Sequence, residues 1–150
     1  MTDMPIYMHF IYCFLATIGF SIFLNSPRNT LIPSGIVGGL GWSIYYFLVS
    51  NSYNDLISNF IAAFTVSLLS EFLARKLKHP AILFVIPGII TLVPGVGMYN
   101  TMLYLAEGDF TLATSKAVSV ILAGISISLG VLVVTSLFRT INIISSNKTN

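Results

Sequence analysis

Residues 86–102 read IPGIITLVPGVGMYNTM. Two prolines and three glycines interrupt what is otherwise one hydrophobic run. Proline removes a backbone donor and clashes with the preceding helical turn. Glycine permits backbone angles that other residues resist. The flanking sequence reads as unbroken apolar helix. How this stretch is built therefore fixes how many times the chain crosses a membrane.

That a membrane is involved follows from composition. Of 150 residues, 55% are hydrophobic and only 8% are charged, against about a quarter charged in a soluble domain. Mean hydropathy is +0.89. One small core cannot hide so much apolar surface from water, so lipid must solvate part of it. The net charge of +2 leaves no nucleic-acid footprint. The one cysteine, Cys13, excludes an internal disulfide and reads as a small buried hydrophobe. The first 25 residues lack Lys or Arg before their apolar run and carry Asp3 instead. They read as a retained span rather than a signal peptide.

A helix needs about 20 apolar residues to cross the hydrocarbon. Five segments qualify: 5–24, 31–49, 56–77, 81–106 and 111–138. The expected fold is all-α, one transmembrane domain over residues 1–150, with the fourth span broken by Pro-Gly pairs. Five spans place Arg28, Arg75, Lys76, Lys78, Arg139 and Lys148 on one side, which is six of the seven basic residues. Lys116 is the exception. The positive-inside rule makes that side cytoplasmic, with the N-terminus outside. A re-entrant fourth segment would scatter this charge pattern, so the segment is expected to cross.

In lipid, a freed backbone group is costly unless protein or a wet cavity satisfies it. Transporters use such unwound stretches near the midplane, where helix N-termini favour anionic groups. The second half-helix here would begin near Gly95 to Met98, and a carboxylate is the natural guest. The expected substrate region is Pro87, Gly88, Pro94, Gly95, Gly97, Met98 and Tyr99. The bland alternative is a proline kink without a ligand.

Glu71 is the one acid within a span. It precedes Arg75 by one helical turn, which suits a structural i,i+4 ion pair. Proton coupling through Glu71 and Arg75 is the sharper reading. Gly35 and Gly39, and Ser126 and Gly130, have the small-xxx-small spacing of close helix contacts. Trp42, Tyr45, Tyr46 and Tyr53 read as interface anchors or packing aromatics. His9 and His79 lack the companions a metal site needs. No phosphate-binding loop and no nucleophile-base set appears, so neither an ATP site, another cofactor nor an enzyme is expected.

The stretch from Glu71 to Asp109 resembles the small membrane subunit of the threonine/serine exporter family. The matching residues are Glu71, Ala74, Arg75, Pro80, Pro87, Gly88, Leu92, Val93, Pro94, Gly95, Gly97, Met98, Tyr99, Gly108 and Asp109. Thr91 departs from the pattern, standing where a proline belongs. The resemblance implies proton-driven export of small carboxylate metabolites, either threonine and serine or a dicarboxylate such as succinate. It implies a larger membrane subunit as partner and a place in the cell's inner membrane. A homo-oligomer is compatible with it. The rival expectation is a non-transporting subunit that stabilises its larger partner.

Overall fold

The computed structural model describes residues 5–147, with side chains to Ile141. Six helices follow one another: α1 (Ile6–Phe23), α2 (Arg28–Ser50), α3 (Asp55–Leu77), α4 (Ile82–Ile90), α5 (Gly95–Ala106) and α6 (Phe110–Asn147). Among the described residues there is no strand. Four helices are long and apolar enough to cross a membrane. The pair α4 and α5, bent by 47° at its break, makes a fifth candidate. The chain is a polytopic all-α membrane protein.

Local signals set the helix ends. Asn54 caps α3 by accepting the Leu56 N–H at 2.9 Å. Asp55 occupies its first turn, and Arg75 and Lys76 its last, in accord with the helix dipole. Lys78 then leaves the helix in the left-handed conformation, with φ 56°. Asp109 starts α6 by accepting the Leu112 N–H at 2.9 Å.

Small residues bring the helices together, as their spacing predicts. A Cβ on Gly35 would lie 2.9 Å from the Phe14 ring, and one on Gly39 would lie 2.8 Å from Phe10, both on α1. Gly38 leaves space for the Thr17 hydroxyl. Gly41 does the same for Val66 of α3, at a core of Val37, Ala62, Ala63, Val66, Leu92 and Ile127. A Cβ on Gly130 would lie 2.7 Å from the Phe60 carbonyl oxygen, so α6 and α3 touch almost backbone to backbone. The Ser126 hydroxyl reinforces that contact, donating to the Leu56 carbonyl at 2.5 Å.

The order of these contacts fixes the helix directions. Leu56, Phe60 and Arg75 of α3 meet Ser126, Gly130 and Phe138 of α6 in the same sequence order. The two helices therefore run parallel. Ser34 and Val37 of α2 likewise meet Leu83 and Gly88 of α4 in order. The segment joining α3 to α6 thus carries the chain back through the bundle, as expected from the basic residues. With Ser126 level with Leu56, the first 16 residues of α6 extend about 24 Å past the start of α3. Helix α5 packs along that extension, and a notch opens between this hairpin and the adjoining ends of α2 and α3.

Candidate functional site: the cavity at the broken span

The two prolines of the fourth span have different fates. Pro87 lies inside α4. It cannot donate to the Leu83 carbonyl one turn earlier. The Ser34 hydroxyl of α2 donates to that carbonyl instead, at 3.2 Å. Gly88 is buried beside it, where a Cβ would lie 2.9 Å from Val66 and 3.2 Å from Val37. The first Pro-Gly pair is thus helical and packed in the bundle.

The break comes at residues 91–94. The Thr91 hydroxyl donates to the Gly88 carbonyl at 2.8 Å, closing the end of α4. Pro94, with φ −74° and ψ 60°, forms a tight turn in which the Gly95 N–H donates to the Val93 carbonyl at 2.7 Å. These angles are those of an inverse γ-turn. Helical bonding resumes with the Met98 N–H, which donates to the Pro94 carbonyl at 3.0 Å. The N–H groups of Val96 and Gly97 have no partner among the described residues. They form the electropositive end of α5.

A cavity of about 500 Å³ lies against this helix start, within the range of small-molecule sites, roughly 300–1,000 Å³. Leu92, Val96, Val120 and Ala123 supply apolar wall, and Trp42 supplies an aromatic one. Five polar side chains, Tyr45, Asp55, Asn59, Lys116 and Ser119, join them. Asp55 is held by the Tyr45 hydroxyl, which donates to its Oδ1 at 2.6 Å. Asn59 is only 4% exposed and donates from Nδ2 to the Asp55 carbonyl at 2.9 Å. Its Oδ1 remains available to a ligand. Lys116 and Ser119 face the cavity from α6. The lining therefore carries a carboxylate on α3, an ammonium on α6 and the helix start of α5.

Of the residues expected at the site, Pro94, Gly95 and Gly97 line this cavity. Gly95 faces open space, with nothing within 4 Å of where a Cβ would stand. Gly97 lets α6 approach, since its Cβ would lie 2.7 Å from Val120. Pro87 and Gly88 do not line it, and both are buried. Met98 and Tyr99 are helical, exposed, and outside the lining. The unwound stretch is thus shorter than 87–99, because Ser34 repairs the first proline. Glu71 and Arg75 lie 16 and 20 residues after Asp55 on the same helix, near its far end. The Arg75 guanidinium sits 4.7 Å over the Phe138 ring.

Asp55, Asn59, Tyr45, Trp42 and Lys116 are the cavity residues that sequence reasoning passed over. Signals existed. Asp55 and Asn59 are one turn apart at the start of a span. Lys116 is the one basic residue that departs from the charge pattern. Among the described residues no group of three or more His, Cys, Asp or Glu comes together as a metal site.

A model of the family described as "Threonine/Serine exporter, ThrE" matches residues 9–137. No solved structure matches the chain. The match runs from α1 to the second half of α6 and takes in every wall of the cavity. This multi-pass membrane protein belongs to the threonine/serine exporter family, a family of transporters rather than enzymes.

Proposed function

We propose that the chain is the small membrane subunit of a two-component secondary exporter, and that its substrate binds in the cavity at the broken span. The observation that carries this reading is that opposite charges line one small cavity. Lys116 and the free N–H groups of Val96 and Gly97 suit a carboxylate. Asp55, fixed by Tyr45, suits an ammonium. A zwitterionic amino acid satisfies both poles. A dicarboxylate such as succinate would set its second carboxylate against Asp55, so this arrangement favours threonine or serine.

The basic residues support an outer N-terminus, an inner C-terminus and a place in the cell membrane. The cavity then lies toward the outer side. A larger partner subunit is supported by the resemblance of Glu71 to Asp109 and by the uncovered apolar side of α5, where Met98, Tyr99 and Met102 are more than half exposed. Glu71 and Arg75 remain a proposed proton-coupling pair at the cytoplasmic end. Pro87 and Gly88 would act by packing α4 ahead of the break, and Met98 and Tyr99 by presenting the exposed side of α5 after it.

The test is efflux of preloaded threonine and of succinate from cells expressing the chain, with and without its larger partner. Threonine efflux that needs both proteins supports the proposal. No efflux of threonine or succinate, with both proteins present in the membrane, would reduce the chain to a scaffold for its partner.

A further inference from the structure

His9 stands in the first turn of α1, directly behind the cavity wall, and none of the proposed binding groups is built on it. The Trp42 indole N–H donates to His9 Nδ1 at 3.3 Å. The imidazole stacks on Tyr46, with ring centroids 3.9 Å apart and planes 28° from parallel. Its Nε2 is buried and has no hydrogen-bond partner among the described residues. An indole nitrogen can only donate. The bond from Trp42 therefore makes Nδ1 the acceptor and puts the single ring proton on Nε2. A second proton on Nδ1 would set two N–H groups against each other. His9 can become charged only if Trp42 turns away.

Trp42 is also a wall of the cavity. Its ring lies 5.3 Å from that of Tyr45, whose hydroxyl holds Asp55. A short chain of contacts thus joins a histidine on α1 to the carboxylate at the cavity. We propose that His9 is a proton switch for the cavity: charging its imidazole breaks the Trp42 bond and frees the wall formed by Trp42, Tyr45 and Asp55. His9 is a positioning residue in this scheme, acting through Trp42. Its consequence for transport rests on the cavity being the substrate site, while the switch itself does not.

Among the described residues, the surroundings leave few competitors for the proton. Helix α1 packs on α2 and α4. Neither α1 nor α4 contains Asp, Glu, Lys or Arg. The charged residue of α2, Arg28, begins the helix at the end away from Trp42. The other titratable side chains are Tyr7, Tyr12 and Cys13 on α1, and Tyr45 and Tyr46 on α2. Histidine alone among them ordinarily changes charge between about pH 5 and 8. With the N-terminus outside, His9 would sample the proton-rich side of the membrane.

Trp42 is the chain's single tryptophan, so its fluorescence reports this one place. The full chain would be reconstituted in phosphatidylcholine nanodiscs and titrated from about pH 8 to about pH 5. The expected result is one step with loss of Trp42 emission, retained in His79→Gln and absent in His9→Gln. Glutamine keeps an acceptor for the indole, so at high pH the variant should show the wild-type emission maximum, which establishes that the wall is folded. A step of equal size in His9→Gln, or none in the wild type, overturns the switch. In cells with the partner, His9→Gln should also flatten the pH profile of threonine efflux. A fluorescence step with an unchanged efflux profile would support the switch and overturn the substrate reading of the cavity.

Discussion

The Ser34 hydroxyl donates to the Leu83 carbonyl across 3.2 Å, and Leu83 lies one helical turn before Pro87. A neighbouring helix thus supplies the hydrogen bond that proline withholds. Ser34 is fully buried, so Ser34→Ala should leave that carbonyl unsatisfied and destabilise the bundle by about 1–3 kcal/mol. On a Pro87→Ala background, where the new N–H can reach Leu83, the same substitution should cost much less. Unfolding of the four proteins in detergent micelles measures the coupling. Equal costs in both backgrounds would refute this account of how Pro87 is tolerated.

Asp55 is positioned by the 2.6 Å bond from Tyr45. If it receives the ammonium of an amino acid, Asp55→Asn removes a charged hydrogen bond of about 1.5–3 kcal/mol. Threonine efflux should fall by about tenfold or more. Succinate, where it competes, should gain relative to threonine. Competition assays in the two-subunit system read this ratio, and an unchanged ratio would remove Asp55 from recognition.

Lys116 should act on the opposite pole. Lys116→Gln keeps a polar end on a slightly shorter side chain but loses the charge. Threonine affinity should weaken by about tenfold, roughly 1.4 kcal/mol, and the loss should shrink for an amino-acid amide that lacks the carboxylate. Isothermal titration with the two ligands separates the cases. The same loss for both would point to a structural role.

Gly97 marks the closest approach of α5 to α6, with Val120 Cγ2 at 2.7 Å from its notional Cβ. Gly97→Ala should overpack this contact and cost about 1–3 kcal/mol. Val120→Ala should recover most of it. Thermal unfolding of the single and double variants is the check, and a double variant no better than Gly97→Ala would show that the strain lies elsewhere.

The spans were legible because each is an apolar run of about the length the bilayer requires, and, the end of α6 apart, the structure places their ends within a few residues of the reading. The helix α6 is longer than expected, reaching Asn147, since hydropathy marks where lipid ends and not where helix ends. The break itself was legible in Pro94 and Gly95. Its extent was not, because the repair of Pro87 comes from Ser34, 53 residues earlier in the chain. The cavity was legible only on its α5 side. Asp55 and Asn59 belong to α3 and Lys116 to α6, two helices that meet through their parallel pairing. Nothing in local periodicity announces that pairing. Asp55 reads as an ordinary first-turn acid until Tyr45 and the cavity are seen beside it.

Two open glycines put the occupancy of the cavity at the start of α5 by substrate to the test. Gly95 lines the cavity and Gly19 lies on an exposed face of α1, and neither has an atom within 4 Å of where its Cβ would stand. Leucine can therefore be placed at either without a clash at its Cβ. The measurement is threonine efflux by Gly95→Leu and Gly19→Leu at matched membrane abundance, each with the larger partner. The expected result is that Gly95→Leu fills the cavity and abolishes efflux while Gly19→Leu exports like the wild type. Wild-type efflux from Gly95→Leu would contradict it.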